Sequence, residues 1–147
     1  MTTQTTIFPR IALQHERVAP RAQTRPTTRT IEIAPVRSQR DVAEFIDLPK
    51  RLHRADPHWV APLDMQVKSF LDRRRHPFYQ HGQAEAFLAK RDGQTVGRIL
   101  ASDDPLYNQA HGTQVGCFGL LETIDDLRTC RALLDAASRW LVELGRT

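Results

Sequence analysis

Residues 84–102 read AEAFLAKRDGQTVGRILAS. Apolar and polar side chains alternate on either side of Asp92-Gly93, a pair that accepts the positive φ angles of a tight type I′ turn. Ala84, Ala86, Leu88 and the stem of Lys90 fall on one face of the first run, and Phe87 and Ala89 on the other. Val96, Ile99 and Leu100 give the return run its apolar content. The stretch predicts a β-hairpin formed by Ala84–Arg91 and Thr95–Ser102.

Downstream, Thr113–Leu121 is the most apolar run of the chain and predicts a third strand, reached through a loop or single helical turn over Pro105–Gly112. Leu127, Cys130, Leu133, Leu134, Ala137, Trp140, Leu141 and Leu144 then recur at the 3.6-residue period of an amphipathic helix. Thr123 and Asp126 have the spacing of a capping box, and Gly145 stands where a helix ends in a left-handed residue.

Upstream, Ile31–Val36 alternates and is β-branched, so it predicts a strand whose Pro35 suits an edge position. Ser38 with Asp41 three residues on predicts the start of a helix carrying Val42, Phe45, Ile46 and Leu48. Pro49 is expected to break that helix and open a second short turn over Lys50–Arg54. Asp56–Pro62 is a proline-bracketed extended segment with Trp59 as its anchor. Leu63–Leu71 predicts a helix, Asp72–Arg75 a solvated charge run, and His76–His81 an aromatic loop. A strand, helices, a hairpin, a strand and a helix, in that order, predict an α+β (mixed α/β) domain: a mostly antiparallel sheet with flanking helices.

Charge is distributed unevenly. Residues 1–29 hold five arginines against Glu16 alone, which accounts for the whole net charge of +4. From Ile31 onward sixteen of the 21 basic residues balance sixteen of the 17 acidic ones. The division expected is a disordered basic tail over 1–30 and a folded domain over 31–147, because the tail has too little apolar content to offset its ordering entropy. A nucleic-acid-binding domain would place its positive charge on the folded part, so nucleic acid is not the expected partner. No run approaches the length of a membrane span, and no secretory h-region is visible. Cys117 and Cys130, the two cysteines, read as buried small hydrophobes in a reducing cytoplasm. The histidines lack the spacing of a metal site.

Asp56-Pro57-His58-Trp59-Val60-Ala61-Pro62-Leu63, His76-Pro77-Phe78-Tyr79-Gln80-His81, Phe87–Gly93 with Val96-Gly97-Arg98-Ile99, Tyr107-Asn108, Gly116-Cys117-Phe118-Gly119, and Leu133–Ala137 with Trp140-Leu141 together resemble a branch of the GNAT (GCN5-related N-acetyltransferase-like) superfamily. The resemblance covers about Ile31–Gly145, and its middle is similar to the family's strands 2, 3 and 4 followed by its third helix. It implies the first half of an acyl-CoA N-acyltransferase fold. In that family the pantetheine arm of acetyl-CoA pairs with strand 4, and backbone amides at the start of the next helix hold the pyrophosphate. By position, the resemblance places the pantetheine-facing backbone at Phe118, Gly119, Leu120 and Leu121. It places the anion loop over Glu122–Asp126, with Thr123, Ile124, Asp125 and Asp126 as cofactor contacts.

Glu122 falls where some members carry a general base. An amine must lose a proton before attacking a thioester, which a positioned carboxylate can accept. Tyr79, His81, Tyr107 and Asn108 are loop candidates for an acceptor pocket. Two features depart from the family pattern. The loop Glu122-Thr123-Ile124-Asp125-Asp126 has three acids and no glycine, which repels a pyrophosphate and suits an ordinary helix start. The chain also stops at Thr147, where the family's strand 5 would begin. The expectation is therefore a truncated acyltransferase-like protein, inactive alone. It would use acetyl-CoA or another acyl-CoA only if the fold were completed, and no cofactor is expected for the isolated chain. The alternative is a non-catalytic interaction module whose exposed strand edge accepts a second copy or a strand-donating partner.

Overall fold

The computed structural model describes residues 30–147, so the expected tail over 1–30 lies outside the described residues except for Thr30. The elements are β1 (Ile31–Pro35), α1 (Gln39–Leu52), α2 (Asp64–Leu71), a 3-10 turn (Pro77–Gln80), β2 (Gln83–Arg91), β3 (Gln94–Asp103), α3 (Pro105–His111), β4 (Cys117–Thr123) and α4 (Leu127–Glu143). The four strands form one antiparallel sheet in the order β1-β2-β3-β4.

Local chemistry explains most of these boundaries. Asp92 and Gly93 take φ angles of 51° and 77°, which closes the β2–β3 hairpin as its sequence requires. Ser38 and Asp41 form the reciprocal capping box of α1: Asp41 N–H donates to Ser38 Oγ at 3.1 Å, and Ser38 N–H donates to Asp41 Oδ2 at 2.9 Å. These bonds from Ser38 hold the Asp41 carboxyl far below the ordinary carboxylate range. At the far end of the chain, α4 stops at a Schellman motif. Gly145 sits at φ 74°, its N–H donates to the Val142 carbonyl at 2.9 Å, and Arg146 N–H donates to the Leu141 carbonyl at 3.0 Å.

The period-2 pattern of β2 and β3 builds a core on each face of the sheet. Ala84, Ala86, Leu88 and Leu100 pack with Phe45 of α1 and Val67 of α2. On the other face Ala89, Ile99 and Ala101 pack with Leu133 and Ala137 of α4. Burial of both faces leaves no freedom of register, because a one-residue slip would exchange the two cores.

Three expectations are corrected. Pro49 does not break α1, which runs through it to Leu52. A proline at 49 removes the N–H that would bond the Phe45 carbonyl. Here the Arg98 guanidinium, from β3, donates Nη1–H to that carbonyl at 2.6 Å and so replaces the missing helical bond. Thr123 is not a helix cap; it closes β4, and Asp126 caps α4. Cys117 is exposed at the start of β4 and Cys130 is half-buried.

Candidate functional site

The site is built on β4. Its partner is β3, and among the described residues no strand lies on its other side. Phe118 pairs with Ala101, Gly119 with Leu100, and Glu122 with Arg98. Two residues, Leu120 and Leu121, therefore stand opposite Ile99 alone, which is a β-bulge. Leu120 holds φ at 50°, a region that costs a branched residue about 1–2 kcal/mol. Burial offsets this cost. Leu120 packs with the α1-side core and Leu121 with the α4-side core. The bulge turns the outward edge of Phe118–Leu121 away from flat strand geometry, and Phe118 is 57% exposed there. An Xaa-Gly or Asn would have signalled the bulge in the sequence; a leucine at positive φ gives no such signal.

At the C-terminal end of β4 the Glu122 carboxylate meets two side chains from distant parts of the chain. Its Oε2 lies 3.0 Å from Nε2 of His53, which follows the last turn of α1. The His53 ring stacks on Trp59 with centroids 5.0 Å apart and planes at 21°. The stack fixes the orientation of the imidazole. Beside Glu122 on β3, Arg98 is 2% exposed, with its guanidinium 4.9 Å from the centre of the Phe45 ring. Burial pushes the Arg98 pKa down, and the Glu122 charge opposes that shift. Arg98 Nε is buried and has no hydrogen-bond partner among the described residues. Glu122 and His53 remain partly open to solvent. Reading the sequence singled out Glu122 and missed His53 and Arg98. Their convergence depends on α1 continuing through Pro49, and the sequence pointed the other way.

The loop after Glu122 is arranged for helix capping. Asp126 Oδ1 accepts the Arg128 N–H at 3.2 Å, and Oδ2 accepts from the Thr129 hydroxyl at 2.8 Å and from Arg91 Nη2. The Thr129 bond, with those from Arg128 and Arg91, holds the Asp126 carboxyl below its usual range. Thr123 Oγ1 donates to the Ile124 carbonyl at 3.1 Å, the Ile124 N–H donates to Val96 at 2.9 Å, and Asp125 is exposed. The amino end of α4 thus already holds a carboxylate where a pyrophosphate would need to sit. The loop over Thr123–Asp126 therefore does not fit a pyrophosphate, while the backbone edge of β4 is open among the described residues.

The other loop candidates lie elsewhere and have structural partners. Tyr79 donates its hydroxyl to the Phe70 carbonyl at 3.0 Å. Asn108 is buried and bonds the Val115 N–H and carbonyl, both at 2.9 Å. His81 lies 3.7 Å from Asp104, and Tyr107 packs on His111. None of the four meets Glu122. Among the described residues no group of three or more His, Cys, Asp or Glu side chains is placed to hold a metal ion, and no helix is long and apolar enough to cross a membrane.

Solved structures share this fold. A tandem GNAT protein from the clavulanic acid biosynthesis pathway superposes over 80% of this chain and 35% of its own, with a TM-score of 0.62 and 18% identity. Ribosomal-protein-alanine N-acetyltransferase from Brucella melitensis biovar Abortus 2308 covers 80% of this chain and 76% of its own, with a TM-score of 0.54 and 25% identity. The chain has a GNAT-like fold. Two curated proteins are similar in sequence to this GNAT-like chain. The bacterial ceramide synthase of Caulobacter vibrioides (strain NA1000 / CB15N) is 38% identical over 122 residues, 82% of this chain and 32% of the relative. Protein YghO of Escherichia coli (strain K12) is 36% identical over 108 residues, 74% of this chain and 27% of the relative. The chain therefore spans about a third of the length of these relatives. No protein-family model matches it.

Proposed function

We propose that this chain supplies one wall of an acyl-CoA-dependent N-acyltransferase site and that turnover requires a further strand beside β4. The observation that carries the reading is the bulged edge of Phe118–Leu121, unpaired among the described residues and lying next to the Glu122–His53 pair. Backbone N–H and C=O groups on an open edge pair with an extended amide-bearing chain as they would with a strand. A pantetheine arm is such a chain. Glu122, oriented by His53, takes the proton from the acceptor amine, directly or through a water. The relative named a ceramide synthase supports an amine acceptor, since a ceramide is the amide of a fatty acid and a long-chain amino alcohol. With one wall and no phosphate grip, the chain alone binds the thioester weakly and does not turn over.

Amide shifts in a nitrogen–proton NMR titration test this. S-acetyl-pantetheine and acetyl-CoA are expected to shift the amides of Phe118–Leu121 at about millimolar ligand, with closely similar affinities because Asp126 keeps the phosphates away. No shift on β4 with either ligand, or shifts centred on another element, would overturn the reading.

The exposed Phe118 also supports a second reading, in which the same edge accepts a strand from another copy or from a partner protein. Light scattering separates the two: a monomer that persists at high concentration argues against self-pairing.

A further inference from the structure

Away from β4, on the α1–α2 side of the sheet, a cavity of about 630 Å³ opens between the start of α1 and the end of α2. Its floor is apolar, formed by Ala84, Ala86 and Leu100 with Val42 and Leu71. Its rim carries five cations: Arg37, Lys68, Arg73, Arg74 and Arg75.

Two of the five have structural partners. Arg37 donates to both Glu85 oxygens, at 2.6 and 2.9 Å, and Arg73 donates to Glu85 at 3.0 Å and to the Ala84 carbonyl at 2.9 Å. Glu85 is buried and neutralises one of that pair. The exposed Arg75 has only a long 3.9 Å approach to Asp72. Lys68 and the Arg74 side chain have no partner among the described residues. The lining thus carries five cations and one carboxylate, Asp72, with Glu85 outside the lining as the partner of Arg37 and Arg73, so the cavity has an excess of positive charge that an anion would relieve. Arg73 also shows that Asp72–Arg75 is more than a solvated charge run, because its guanidinium ties the run to the Ala84 carbonyl and the Glu85 carboxylate of β2.

We propose that this cavity binds a small anionic amphiphile, with a phosphate or carboxylate head on the arginine rim and a short apolar tail on the floor. The volume is that of a small-molecule site, and guanidinium groups suit a tetrahedral or planar oxyanion. Charge disfavours residues 1–29, which are themselves basic with five arginines and one acid, and also disfavours a symmetric contact that would bring the cationic rims of two copies together. The proposal does not rest on acyl transfer: no residue of the cationic rim hydrogen-bonds or ion-pairs with Glu122 or His53, although on the floor Leu100 pairs with Gly119 of β4.

Isothermal titration calorimetry with octyl phosphate, below its micelle concentration, tests the cavity in the full chain. The parent protein is expected to bind one equivalent. The exposed-residue variant Lys68→Gln/Arg74→Gln/Arg75→Gln, with an unchanged circular dichroism spectrum, is expected to bind at least about tenfold more weakly. Raising sodium chloride to about 0.5 M should weaken binding to the parent. Inorganic phosphate and octanol should each bind at least about tenfold more weakly than octyl phosphate. Absence of binding, equal binding by the triple variant, or an affinity for phosphate or octanol alone that matches octyl phosphate would each overturn the proposal.

Discussion

Arg98→Ala is expected to destabilise the fold by about 3–5 kcal/mol, measured as the loss of unfolding free energy in urea. Three losses combine. The Phe45 carbonyl, deprived of its helical donor by Pro49, loses the Nη1–H that replaced it. The Phe45 ring loses the guanidinium above it, and a buried volume empties between α1 and β3. Relief of the Arg98 desolvation and of its unpaired Nε works in the opposite direction and is smaller. The mechanism predicts a specific rescue. Pro49→Ala restores an N–H four residues after Phe45, so it should recover roughly 1 kcal/mol in the Arg98→Ala background beyond its effect in the parent. Strict additivity of the two substitutions would show that Arg98 does not substitute for the helical bond.

The second large effect is expected at Glu85, with a defined pH dependence. Burial pushes its carboxyl pKa up, but hydrogen bonds and charges from Arg37 and Arg73 together outweigh burial, and the net shift is downward from 4.5. A carboxyl depressed in the folded state contributes stability that is fully present above its unfolded value. That contribution is lost as pH falls from about 4.5 through the lower folded value. Glu85→Gln should therefore cost about 2–3 kcal/mol at neutral pH, where two arginines lose their anion, and much less in acid. In the parent protein the urea midpoint should hold steady down to about pH 5 and then fall, whereas the variant should show a flatter acid limb. Parallel acid limbs would mean that Glu85 is not the titrating anion. Asp41, Glu44 and Asp126, whose carboxyls are also depressed, supply the slope that remains in the variant.

What the sequence made legible was whatever local chemistry decides. Asp92-Gly93, the Ser38–Asp41 box, the 3.6-period stripe of α4 and Gly145 each specify a conformation within a few residues, and each appears where expected. The α+β architecture and the GNAT-like fold follow from their order. Legibility ended where a distant group overrides a local rule. Pro49 breaks helices by local reasoning, yet Arg98, 49 residues away, satisfies the orphaned carbonyl. Leu120 is a poor residue for a left-handed conformation, yet it adopts one while packing, partly buried, against the α1-side core. The Glu122 position was visible from the resemblance. Its partner His53 was not, because the contact spans 69 residues and depends on the unbroken α1. Asp126 was read as part of a capping box or an anion loop. The structure gives it the capping role, without Thr123 and with Arg91 as its counter-ion.

The account depends on β4 being paired on one side and open on the other. Amide hydrogen exchange of the full chain, resolved by NMR for each residue of Cys117–Thr123, measures that directly. An open edge predicts alternation: amides directed at β3 should be protected, and those directed outward should exchange at rates close to an unstructured chain. Uniform strong protection along the strand at low protein concentration would mean that β4 has a second neighbour within this same polypeptide, and the proposed ligand edge would not exist.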